Sequence, residues 1–93
     1  MTPIRFGTQI RYWDPVKGSG LAVADIPDEH VPAIGGLKQQ KVRGTLNGSA
    51  FASNVMPAGG GRLALSVSKA MMKEAGISVG DAAELELTVV GRN

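Results

Sequence analysis

The chain contains no cysteine, which removes a disulfide framework, a zinc–thiolate site and a cysteine nucleophile together. Aromatic residues supply only 4% against 43% hydrophobic residues overall, so the apolar mass is aliphatic. Neither sign of charge dominates. Ten basic residues meet eight acidic ones, and a formal net charge of +2 permits nucleic acid as a partner without demanding it. No apolar run approaches a membrane span, and Met1-Thr2-Pro3-Ile4-Arg5 lacks the basic start and long apolar core of a signal peptide. A soluble cytoplasmic protein with no membrane contact is the expectation. A chain of 93 residues makes one small domain, 1–93, burying about 60% of its unfolded surface. With 13 glycines and 5 prolines it is punctuated by turns rather than built from long helices. Small aliphatic cores suit a closed or nearly closed sheet.

Strand periodicity runs through the chain. Ile4, Phe6, Ile10 and Tyr12 alternate with Arg5, Gln9 and Arg11, predicting a half-buried strand over Ile4 to Tyr12. A polar turn through Asp14-Pro15 and Lys17-Gly18-Ser19-Gly20 leads to a second strand, Leu21 to Ile26, stopped by Pro27 and paired with the first as a hairpin. Asp28 to Leu37 reads as a turn or two of helix, with Asp28 and Glu29 at its positive end and Gly35-Gly36 closing it. Asn47-Gly48 is the dipeptide of a two-residue type I′ turn and joins Gln40 to Leu46 with Ser49 to Met56. That loop sets Leu46 opposite Ser49, Gly44 opposite Phe51 and Val42 opposite Ser53. The Phe51 ring is then expected to lie over the bare backbone of Gly44, with Lys41, Arg43 and Thr45 on the other face.

Met56-Pro57 is expected to end that strand and Ala58 to Gly61 to form a flexible loop. Arg62 to Val67 is a further strand. Ser68 then caps a short helix over Lys69 to Ala75, which Gly76 terminates with Ile77 packing back. Gly80-Asp81 turns the chain into a last strand, Ala83 to Val90, where Leu85, Leu87 and Val89 alternate with Glu84, Glu86 and Thr88. Six strands, mostly hairpin-linked, with a short helix in each half argue for a mainly β small barrel.

The run Lys41-Val42-Arg43-Gly44-Thr45-Leu46-Asn47-Gly48 through Phe51 and Met56-Pro57 resembles a bacterial family, domain of unknown function 1905. Leu65-Ser66-Val67-Ser68-Lys69-Ala70, Ala75-Gly76-Ile77 and Gly80-Asp81 continue the resemblance, which spans about Phe6 to Val90. That family also forms the front half of YdeI/OmpD-associated proteins, and a role needing a second YdeI-type domain is not the expectation here. The resemblance implies a six-stranded double-split β-barrel related in architecture to the AbrB/MazE group of DNA-binding proteins. It implies no activity.

Motifs with chemical potential have plainer structural explanations. Ser66-Val67-Ser68-Lys69 matches the S-x-x-K pattern of serine acylases, but no S-D-N or K-T-G element accompanies it, so a strand end meeting a helix cap explains it better. His30 would need Asp25, Asp28 or Glu29 to converge on it to hold a metal, and it has no visible nucleophile to serve as a base. Asn47-Gly48-Ser49 is formally a glycosylation sequon explained by the turn, and Gly59-Gly60-Gly61-Arg62 lacks the ending of a phosphate loop. No catalytic set, metal site or cofactor is therefore expected.

The basic residues are the candidates for contact with an anion or nucleic acid. Arg5 and Arg11 share the outer face of the first strand, and Lys41 and Arg43 that of the third; Arg62, following the glycine run, is a separate candidate to hold an anion with nearby amides. If those strands are neighbours they form a positive stripe ending near Trp13, unless Glu84 and Glu86 neutralise it. The expectation is an uncharacterised bacterial, non-catalytic binding or interaction module, monomer or homodimer, with a protein or nucleic-acid partner. A DNA-binding regulator of AbrB-like architecture is the alternative, and a small serine hydrolase the remotest.

Overall fold

The alternating segments become strands and close on themselves. The computed structural model describes residues 3–92; Met1, Thr2 and Asn93, assigned above to the same domain, lie outside the described residues. In chain order the elements are β1 (Ile4–Tyr12), β2 (Ala22–Ile26), a 3-10 turn (Asp28–His30) running into α1 (Val31–Ile34), β3 (Gln40–Leu46), β4 (Ser49–Gly59), β5 (Arg62–Val67), α2 (Lys69–Ala75) and β6 (Ala82–Arg92). The strands pair in the ring order β1-β2-β5-β4-β3-β6, and β6 returns to β1. Every pairing is antiparallel. The result is a mainly β, closed six-stranded barrel with two short helices, and closure removes the free edges an open sheet would expose.

The interior is the apolar face of each alternating run. Ile4, Phe6 and Ile10 of β1 meet Leu85 and Leu87 of β6, Leu63, Leu65 and Val67 of β5, and Val42 and Leu46 of β3. Inward alanines at 22, 24 and 83 keep the side-chain volume within what six strands can enclose. Ile34 of α1 plugs into the same cluster. Its helix is held there by Gln40, a buried polar residue whose Nε2 donates to the Ile34 carbonyl at 2.7 Å.

The Asn47-Gly48 hairpin has the register read from the sequence, with Leu46 opposite Ser49, Gly44 opposite Phe51 and Val42 opposite Ser53. Both turn residues take positive φ, 48° and 85°, as a type I′ turn requires. The reason for Gly44 differs from the expected one. The atoms a Cβ there would meet first belong to the backbone of Glu86 and Leu87 on β6, not to the Phe51 ring. Glycine stands at this position because β6 approaches β3 too closely for any side chain, while Phe51 packs half-buried against the core.

The strand expected to stop at Met56-Pro57 runs on to Gly59, and the loop expected over Ala58 to Gly61 shrinks to a tight turn at Gly60-Gly61. Pairing of β4 with β3 ends at Val55, and β4 continues against β5 alone through Pro57 opposite Leu63. Pro57 therefore sits where only one neighbour needs ladder bonds, so its missing N–H is tolerated. The helical stretch read over Asp28 to Leu37 is closed at the expected glycines: it ends at Ile34, and Gly35 turns left-handed as its cap.

Candidate functional site

Position in the ring decides which basic residues remain available. β1 and β3 are not neighbours: β6 lies between them and brings its glutamates with it. Arg5 stands directly opposite Glu86 and pairs with it, Nε to Oε2 at 3.1 Å. Arg11 binds Asp25 of β2 in a two-pronged contact, Nε to Oδ2 at 2.6 Å and a terminal nitrogen to Oδ1 at 2.9 Å. The hydrogen bonds from Arg11 hold the Asp25 carboxyl below the ordinary carboxylate range; partial burial opposes this, and the charges of Arg11 and Arg62 add to it. The same contact raises the pKa of Arg11. Arg62 opens β5, close enough to Asp25 for its charge to help lower that carboxyl's pKa. The stripe that adjacency of β1 and β3 would have made is thus divided.

Lys41 and Arg43 keep a different environment. Across β4 they face Asn54 and Ala52, and across β6 they face Gly91 and Thr88, so no carboxylate stands directly opposite either cation. Between Lys41 and Val42 the register with β6 shifts by one residue, and Val90 is the extra residue of this bulge, 58% exposed. Lys41, Arg43, Ala52, Asn54 and Val90 line a shallow groove of about 440 Å³ across β4, β3 and β6. Nothing in the sequence announces this groove, because a bulge made by one extra residue leaves no compositional signature.

The remaining polar candidates are engaged by the fold. Ser68 accepts from the Met71 amide at 3.1 Å, and the Met71 sulfur accepts in turn from the Ser68 amide. Gly76 closes α2 in the left-handed conformation, with the Ile77 amide returning to the Met72 carbonyl. Ser66 pairs with Val23 on β2, and its carbonyl accepts from the Ser53 hydroxyl at 2.6 Å. Asp81 caps the Ser78 amide at 2.8 Å and its carbonyl accepts from the Ile10 amide, while the Gly80 amide donates to the Ile10 carbonyl and the Gly80 carbonyl accepts from Gln9. His30 rests against the Phe6 ring, centroids 5.8 Å apart, and Asp25 is held by Arg11. Asn47 does more than turn: its Oδ1 accepts from the Glu84 amide at 2.7 Å and its own amide donates to the Glu84 carbonyl at 2.9 Å.

A second concave surface lies at the opposite side of the ring. Tyr12, Ala22 and Val67 are consecutive partners at the ends of β1, β2 and β5, and they form the floor of a cleft of about 320 Å³. Its walls are Ser19, Gly20 and Leu21 of the β1–β2 loop, Ser68, Lys69 and Met72 of the α2 region, and Val79. The loop is closed at its base by the Trp13 amide donating to the Leu21 carbonyl at 2.7 Å. Both the floor and the loop wall escaped sequence reasoning, since they join segments about fifty residues apart.

No helix among the described residues is long and apolar enough to cross a membrane. Comparison with curated proteins gives no significant match. The barrel ring, the Asn47-Gly48 hairpin, the capped helix α2 and most of the two concave surfaces fall within one continuous match, residues 6–87, and by that match the chain belongs to the family described as Domain of unknown function (DUF1905).

Proposed function

We propose that this domain is a non-catalytic binding module that engages an anionic partner across the outer face of β3. The observation that carries this reading is the asymmetry of the basic residues. Arg5 and Arg11 are neutralised by Glu86 and Asp25, whereas Lys41 and Arg43 lack a carboxylate in either neighbouring strand position. They flank a groove with a small, apolar wall of Ala52 and Val90, which lets a partner chain approach the strand closely. The engagement of Ser68, Asp81, Asp25 and His30 in caps, turns, an ion pair and a ring contact supports the non-catalytic part of the proposal.

A second reading, nucleic-acid binding, rests on the same two cations. Each phosphate contact contributes a slope of about −0.9 to log K against log salt, so two contacts predict about −1.8, where the undivided four-residue stripe would give about −3.6. Fluorescence anisotropy of a labelled DNA duplex and of a labelled oligoglutamate peptide, begun at about 50 mM salt, tests both readings. Binding weakened at least about tenfold by Lys41→Ala with Arg43→Ala, and unchanged by Arg5→Ala, supports the β3 surface. Duplex binding with the shallow slope selects nucleic acid; peptide binding alone selects an acidic protein segment. Failure of both probes to bind at low salt overturns the proposal.

A further inference from the structure

The mouth of the barrel holds a built cleft that the β3 face does not use. β2 and β3 stand diametrically opposite in the six-strand ring, so the two surfaces are separate and share no residue. Barrel mouths are preferred places for small-ligand sites, because the ends of inward side-chain rows leave a concave apolar floor that strands cannot cover. Here that floor is Tyr12, Ala22 and Val67.

We infer that this cleft binds a small amphipathic organic acid, a single carboxylate on an apolar body of about eight carbons. Three observations define that class. The walls are apolar at Leu21, Met72 and Val79, above Val67 of the floor, and Leu21 is 44% exposed, leaving side-chain surface that an apolar ligand would cover. Lys69 is the only charged residue lining the cleft, and it forms no ion pair among the described residues, so the complementary ligand carries one negative charge. Tyr12 and Ser68, both hydroxyl-bearing, line the same cleft. The Ser68 oxygen already accepts from the Met71 amide, which leaves its proton as the group to donate. The anion is therefore held by side chains and not by free amides of the short helix. The volume sets the size: about 320 Å³ at roughly 30 Å³ per water-sized atom accommodates about ten heavy atoms.

Octanoate has that size and charge, and octanamide is its neutral match. Trp13 is the single tryptophan, adjoins Tyr12 and is bonded through its backbone to Leu21 of the loop wall, so its fluorescence follows the loop while the amide shifts locate the ligand. The experiment titrates the chain with both compounds, following Trp13 emission and amide chemical shifts. Octanoate is expected to bind with a Kd of about 0.1–1 mM, shifting Tyr12, Leu21, Lys69 and Met72, and octanamide to bind at least about fivefold more weakly. Lys69→Met is expected to abolish the difference between the two, whereas Lys41→Ala with Arg43→Ala leaves it intact. Lys69 is exposed, so thermal melts of the variant serve to show that it still folds. Equal binding of acid and amide to the native chain overturns the acid class. Shifts centred on the β3 face, or none at about 10 mM, a tenfold excess over the weakest expected Kd, overturn the site.

Discussion

The backbone carbonyl of Glu86 occupies the place that a Cβ on Gly44 would need. The two strands cannot separate to make room without opening the ring, since β3 pairs with β6 along its length. Gly44→Ala is therefore expected to destabilise by about 3 kcal/mol, the upper end of the overpacking range. Phe51→Ala removes a larger group but only a half-buried one, and should cost about 2 kcal/mol, below the range for fully buried rings. Urea denaturation of both variants checks the order: the single added methyl should do more damage than the lost ring.

Asn47 combines a left-handed backbone with a clamp on β6. Asn47→Gly keeps the turn conformation without strain but loses the bond from the Glu84 amide. It should cost about 1 kcal/mol, the net worth of one hydrogen bond. A glycine variant as stable as the native chain would show that the turn conformation alone matters.

The Arg11–Asp25 pair makes stability depend on pH. The Asp25 carboxyl titrates lower in the folded chain than in the unfolded one, so its contribution is present above the unfolded value of about 3.9 and is lost as pH falls through the folded value. Both side chains are about 40% exposed, which places the pair within the screened surface range, at its upper end for a two-pronged contact. Asp25→Asn should cost about 0.5–1 kcal/mol at neutral pH, less in high salt, and the gap to the native chain should close as pH drops toward 2. Melting curves at several pH values check the convergence; a gap that persists in acid means the pair contributes through packing.

Gln40 links α1 to the barrel through one buried bond. Gln40→Leu fits the apolar surroundings yet leaves the Ile34 carbonyl without its donor, at a cost of about 1–3 kcal/mol. Hydrogen exchange should show the loss concentrated in Val31–Ile34 and the start of β3 rather than spread through the ring.

What could be read before the structure was local. The Asn47-Gly48 turn, the Ser68 and Gly76 caps and the alternation of β1 and β6 depend on neighbours within a few residues, and each appears where the pattern placed it. Ring order depends on which distant strands meet. Insertion of β6 between β1 and β3 is a non-local event, and its register, Glu86 against Arg5 but Thr88 against Arg43 and Gly91 against Lys41, decides which cations face a carboxylate. Pro57 misled for a related reason: proline excludes a central strand position, and β4 turns out to lose its second neighbour just before it. Gly44 was recognisable as special, but only the approach of β6 shows why.

Pairing of β1 with β6, from Ile4 opposite Leu87 to Gln9 opposite Ala82, joins the most distant parts of the described sequence. During synthesis β1 must therefore wait with one side unsatisfied until β6 has left the ribosome, while the β3–β4 and β4–β5 hairpins can already form. Until then the sheet is open, with β1 and β3 as unpaired margins that another chain can pair with, and closure by β6 is what withdraws both at once.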